Sequence, residues 1–139
     1  MSDLLELTVA PTEDEMAAVL AALSAFNTDD VGPSGRKHLA VLIRDEDGTV
    51  TGGLVGYTAW GWLFTQNLVV PEKHRGKRLA GKMLELAETE ARSRGCHGAW
   101  IDTFNPTALK AYRRQGYEVF GEIPNFVGDR TRTFLKKSL

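Results

Sequence analysis

The feature that most constrains this chain is the run from Leu68 to Glu88, LVVPEKHRGKRLAGKMLELAE, in which an apolar strand stops at Pro71, a basic loop follows, and a helix opens directly. From Arg78 to Arg94 the apolar residues Leu79, Met83, Leu86, Ala87 and Ala91 recur at helical spacing, and Gly95 supplies a C-terminal stop. The first turn of a helix carries unpaired backbone N–H groups and the positive end of the helix dipole. His74, Arg75, Lys77 and Arg78 add side-chain charge there, and Gly76 lets the chain approach a ligand closely. Such a junction suits an anion, with pyrophosphate the natural guest. It is neither a GxxxxGK[ST] phosphate loop nor a GxGxxG dinucleotide turn, because both patterns are absent from the sequence.

The rest of the chain alternates strands and helices without repeats, low-complexity tracts or long linkers, which predicts one domain over residues 1–139. A short strand is expected at Leu5 to Val9. Thr12, with Glu15 three residues on, forms a capping box that opens an amphipathic helix to about Phe26, with Met16, Val19, Leu20 and Leu23 on one face. Asn27 to Lys37 has the Gly, Pro, Asn and Asp content of a loop. Three antiparallel strands follow, HLAVLIR, TVTGGLVGYTAW and WLFTQNLVV, the first two joined at an Asp47-Gly48 turn. After the central helix come the strand AWIDTF, a helix that begins with Pro106 near its first turn and ends at Gly116, and closing strands at YEVFG and RTRTFLKK. The order βα, βββ, α, β, α, ββ indicates an α/β class with a mixed sheet covered by helices.

With 139 residues, 17 Lys plus Arg against 18 Asp plus Glu, and one cysteine, the chain has enough length for one core and no means of forming an internal disulfide. A lone Cys96, an acidic N-terminal stretch and no apolar run near 18 residues together predict a cytoplasmic protein with no membrane partner. The charge is divided: residues 1–70 hold three bases and ten acids, whereas residues 71–139 hold fourteen and eight. Solvated surface charge is the first reading of this division, and a cleft whose ends differ in sign is the other. The three histidines and Cys96 lack metal-ligand spacing, so no metal is expected, and a pI near 6.3 argues against a nucleic-acid footprint.

At Arg75-Gly76-Lys77-Arg78-Leu79-Ala80 the chain resembles the GCN5-related N-acetyltransferase (GNAT) family, whose [RQ]-x-x-G-x-[GA] motif lies between a strand and a helix and binds the pyrophosphate of acetyl-coenzyme A. The usual fourth-position glycine is Arg78 here. A second run, Asn105-Pro-Thr-Ala108-Leu-Lys-Ala-Tyr112-Arg-Arg-Gln-Gly116-Tyr117, is similar at every fixed position to the family's N-x-x-A-x-x-x-Y-x-x-x-G-[FY]. The resemblance implies a single-domain, mostly antiparallel sheet with splayed central strands and helices on both faces. It further implies an N-acetyltransferase using acetyl-coenzyme A without a metal, held by Leu68, Val69, Val70, Arg75, Gly76, Lys77, Arg78, Leu79, Ala80, Gly81 and Asn105. The amine attacks the acetyl carbonyl directly, a backbone N–H near Val69 could stabilise the oxyanion, and Tyr112 protonates the departing thiolate. For Tyr112 the competing reading is a packed core tyrosine, and for Asn105 it is simple capping of the following helix.

The acceptor, a small-molecule or peptide amine, must lose a proton. An amine of pKa about 10.4 is neutral only about one part in a thousand near pH 7.4, a penalty of roughly 4 kcal/mol, whereas an α-amine near 7.8 pays under roughly 1 kcal/mol. Asp102, at the end of its strand, is the candidate base, with a structural carboxylate as its alternative and His38 as a weaker option. Acceptor recognition is expected from Asn27, Asp29 and Asp30 in the acidic loop and from Trp62 and Phe64, with Trp60, as an aromatic wall. The same alternation also describes an ordinary strand face. A non-catalytic acyl-coenzyme A binding or sensor module is the other functional reading. Homodimer formation through a sheet edge is as plausible as an edge covered by a loop.

Overall fold

The computed structural model describes residues 4–139. They form two compact units, one ending at Ser34 and the other running from Gly35 to Leu139. The first unit is built on α1 (Glu13–Val31), opened by the expected capping box. Glu15 N–H donates to Thr12 Oγ1 at 3.1 Å, and Thr12 N–H donates to Glu15 Oε1 at 2.8 Å. Two expectations fail here. Leu5 to Val9 form no strand and lie exposed, because every strand of the sheet comes from the second unit and five residues without a ladder have no partner for their backbone groups. The helix also continues past Phe26 to Val31. The polar run NTDD contains no breaker, and the helix stops only at Gly32, whose φ of 95° ends it and whose N–H reaches Thr28 O at 2.9 Å. Asn27, Asp29 and Asp30 are therefore helical residues near a C-terminus, not loop residues.

The second unit holds a six-stranded sheet in the order β1 (Lys37–Arg44), β2 (Val50–Ala59), β3 (Trp62–Val69), β4 (Gly98–Thr103), β6 (Arg130–Ser138), β5 (Glu118–Val127). All neighbours are antiparallel except β3 and β4, which are parallel. The closing hairpin is longer than expected: β5 extends to Val127 through Pro124 and Asn125, at the cost of a register shift between Ile123 and Val127. Helices α2 (Leu79–Ser93) and α3 (Pro106–Arg114) pack on the sheet and on each other.

Leu54, Leu63, Leu84, Ile101 and Leu135 are completely or almost completely buried and define the core between sheet and helices. The buried stripe of α2 is Met83, Leu84, Ala87, Glu88 and Ala91, whose centre lies between Leu84 and Ala87. That geometry turns Leu86 to solvent at 60% exposure, contrary to its place in the sequence pattern. Glu88, a carboxylate at 1% exposure, survives in this core because Lys137 donates to Oε1 at 2.7 Å and the Tyr117 hydroxyl to Oε2 at 2.9 Å.

The parallel pairing of β3 and β4 covers only Trp62 with Gly98, Leu63 with Ala99 and Phe64 with Trp100. Beyond it the strands part, each still tied on its outer side: Val69 stays opposite Gly53 of β2, and Thr103 stays opposite Thr133 of β6. The parting begins at a bulge. Gly56 pairs with Thr65 and Val55 with Asn67, which leaves Gln66 without a partner and sharpens the local twist. Gly56 is needed beside it, since a Cβ there would stand 2.2 Å from Phe64 O.

Candidate active site

Where β3 and β4 part, two clefts open, and Leu68, Thr103, Asn105 and Tyr112 line both. The first, of about 530 Å³, runs from the open edge of β3 to the start of α2. It is lined by Leu68, Val69, Val70, His74, Arg75, Gly76, Arg78, Leu79 and Ala80 on one side and by α3 on the other. No acidic side chain faces it. The first intrahelical bond of α2 is Lys82 N–H to Arg78 O at 3.2 Å, so the amides of Leu79, Ala80 and Gly81 precede the helical ladder, and no side chain caps them. Arg75 and Arg78, with the His74 imidazole beside them, thus surround a bare helix N-terminus, a cradle for a phosphorylated ligand.

The chain reaches this cradle through a 3-10 turn at Glu72–His74, a left-handed Gly76 at φ 85°, and Arg78 at φ 58° and ψ 32°. Arg78 therefore adopts the left-handed conformation that a glycine would take without strain, and it lines the cleft. Two expected contacts are not among the lining residues. Lys77 turns to His74, Nζ to Nδ1 at 3.2 Å, and Gly81 faces Gln115, whose Oε1 would be 3.2 Å from a Cβ at that position.

The second cleft, of about 440 Å³, is lined by Thr65, Gln66, Asn67, Asp102, Phe104 and Arg132 besides the shared residues. Arg132 is the residue that sequence reasoning missed. It approaches Asp102 Oδ1 with both Nε at 2.9 Å and Nη2 at 2.8 Å, across the β4–β6 pair. The only signal was the alternation RTRTF, which puts Arg130 and Arg132 on one strand face without saying what they meet. Around the guanidinium stand Phe126 and Phe134, with ring centroids at 5.1 and 5.3 Å, and Phe104 packs on Phe126 at 5.5 Å.

Tyr112 sits on α3 between the clefts at 3% exposure. Burial first, then the charge of Asp102, pushes its hydroxyl pKa up to about 12, so it carries its proton throughout the neutral range. Asn105 both caps α3 and lines the clefts: its Oδ1 accepts from Thr107 N–H at 2.9 Å and Ala108 N–H at 3.0 Å. The two readings of this residue are compatible.

Trp62 and Phe64 do not line either cleft. Strand alternation places Leu63 and Thr65 in the core and turns their neighbours to the opposite sheet face, where Phe64 stacks on Trp100 at 3.9 Å and Trp62 meets His97 edge-on at 5.2 Å. The expected aromatic wall is a sheet face. Among the described residues no group of three or more His, Cys, Asp or Glu side chains could hold a metal ion, and no helix is long and apolar enough to cross a membrane.

The profile of the Acetyltransferase (GNAT) family matches residues 4–117. An acetyltransferase of Agrobacterium fabrum, Atu2258, is 46% identical over 129 residues, 93% of each chain. The blasticidin-S acetyltransferase of Streptomyces morookaense is 36% identical over 127 residues, 91% of this chain and 92% of that one. A crystal structure from Agrobacterium tumefaciens, assigned to the acetyltransferases, superposes with a TM-score of 0.93 at 42% identity, covering 97% of this chain and 98% of its own.

Proposed function

The chain belongs to the GNAT family of acetyltransferases, and from that premise we propose that it acetylates a small-molecule amine at the junction of the two clefts, with acetyl-coenzyme A as its cosubstrate and Tyr112 as general acid. The observation that carries this reading is the position of Tyr112, a buried, protonated hydroxyl shared by a cationic cleft and a polar one.

The donor set of the first cleft fits the cosubstrate: His74, Arg75, Arg78 and the uncapped amides of α2 would hold the pyrophosphate. The backbone from Leu68 to Val70, on the side turned away from β2 where pairing with β4 ends at Phe64, would hold the pantetheine arm in strand fashion, with Asn105 beside it. When bound, acetyl-coenzyme A supplies the thioester that the amine attacks. A backbone amide of that edge, near Val69, would donate to the oxygen on which charge develops. Tyr112 donates its proton to the sulfur as the carbon–sulfur bond breaks, and its raised pKa keeps that proton available. Asp102 receives the amine in the second cleft and takes up the proton it loses, directly or through water. The Streptomyces morookaense relative, a blasticidin-S acetyltransferase, supports a small-molecule acceptor. A single, buried cysteine supports a cytoplasmic setting.

The test is calorimetric titration with acetyl-coenzyme A, followed by thiol release across an amine library, for wild type and Tyr112→Phe. Acetyl-coenzyme A should bind both proteins alike, while the variant loses about a hundredfold or more in kcat. Undiminished turnover in the variant would remove Tyr112 from the reaction. Binding of acetyl-coenzyme A with no thiol released for any amine would instead indicate a binding module.

A further inference from the structure

Resting on the acetyl-transfer reading of the two clefts, we propose that the Asp102–Arg132 pair selects a zwitterionic acceptor, an amine that carries a carboxylate on the same small molecule. Asp102 would take the amino group and Arg132 the carboxylate.

The geometry of the pair points to this. A guanidinium and a carboxylate that exist only to neutralise each other match two nitrogens to two oxygens. Here both Nε and Nη2 of Arg132 approach the single atom Oδ1. Asp102 Oδ2 accepts no hydrogen bond among the described residues, and Arg132 Nη1 donates none. Each partner therefore keeps unused capacity of its own sign, a bare acceptor on Asp102 and bare donors on Arg132, and both residues line the same cleft. The pair is neither sealed in nor fully solvated, with side-chain exposures of 16% for Asp102 and 35% for Arg132, so a ligand can reach it.

The surroundings hold this arrangement in place. Arg132 lies among the rings of Phe126 and Phe134, which favour a planar cation and limit its swing. Arg130, two residues along β6, is engaged with Phe104 O at 3.2 Å and so braces the loop after β4. Asp102 is near enough to Tyr112 to raise its pKa, which puts an amine held by Oδ2 close to the general acid and the reacting thioester. A purely cationic acceptor would have to approach Asp102 past the positive charge of Arg132, and a purely anionic one would meet Asp102. A molecule carrying both charges satisfies both groups.

The test compares α-, β- and γ-amino acids with their carboxamides and with the corresponding simple amines. Affinity is measured by calorimetry on the full chain saturated with desulfo-coenzyme A, and thiol release is measured with acetyl-coenzyme A. For the best spacing, the amino acid should bind wild type about tenfold or more tightly than its carboxamide. Arg132→Gln should abolish that preference and, by releasing Asp102, tighten binding of the simple amine. Arg132→Lys should retain part of the preference, and both variants should bind acetyl-coenzyme A as wild type does. Equal affinity of wild type for every amino acid and its carboxamide overturns the proposal, as does a preference that survives in Arg132→Gln. If the preference appears and responds to Arg132 but no thiol is released, the role of the pair stands and the acetyl-transfer reading fails.

Discussion

The hydroxyl of Tyr112 stands in the field of the Asp102 carboxylate inside the protein, and burial together with that charge holds its proton to a pKa of about 12. In the unfolded chain a tyrosine releases its proton near pH 10. The folded state therefore binds the extra proton between these values. Its contribution to stability is complete below pH 10 and is lost as pH rises through 12, about 3 kcal/mol for two pH units. Tyr117 is raised in the same direction by burial and by Glu88. Urea unfolding at intervals from pH 8.5 to 11.5 should show stability falling above pH 10, with a shallower fall in Tyr112→Phe. Identical slopes in the two proteins would show that Tyr112 does not titrate this way.

Arg78 occupies a left-handed conformation and lines the cationic cleft. Replacement by glycine removes a strain of about 1 kcal/mol and adds unfolded-state freedom of similar size. Arg78→Gly should therefore keep its stability within about 1 kcal/mol of wild type, while acetyl-coenzyme A binds several-fold more weakly at low salt and the difference narrows as salt rises. Calorimetry at two ionic strengths measures it, and unchanged affinity would place the Arg78 charge outside the phosphate contacts.

Lys137 donates to Glu88 at 2.7 Å and to Gln115 O at 2.8 Å, and Glu88 is the most deeply buried charge in the second unit. Lys137→Met leaves that carboxylate buried against a lone tyrosine hydroxyl and should cost about 3 kcal/mol or more. The double variant with Glu88→Gln should recover much of the loss, because no uncompensated charge remains. Thermal and urea unfolding of the four proteins completes the cycle. Additive losses would mean that the two side chains act independently.

Much of this architecture was legible from short-range pattern. The capping box at Thr12 and Glu15, the Pro106 start of α3, the hairpin at Gly48 and the amphipathic run of α2 all depend on residues within about four positions of one another, where backbone geometry dictates who meets whom. Failures came where a local signal was ambiguous. The NTDD run is polar enough for a loop, yet a helix already under way needs a breaker to end it, and none occurs before Gly32. Trp62 and Phe64 alternate as a ligand wall would, but alternation alone does not say which face of a sheet adjoins a cleft.

The sequence by itself determined the junction of strand, basic loop and helix from Leu68 to Glu88, the motif around Asn105 and Tyr112, and through them the family. Only the tertiary structure decided that Arg132 faces Asp102, thirty residues away, and that Tyr112 separates a cationic cleft from a mixed one. Helix caps and periodicity are set by neighbours along the chain. The parting of β3 and β4 and the partner of each side chain across β4 and β6 follow from strand register, which is fixed only when the whole sheet has formed.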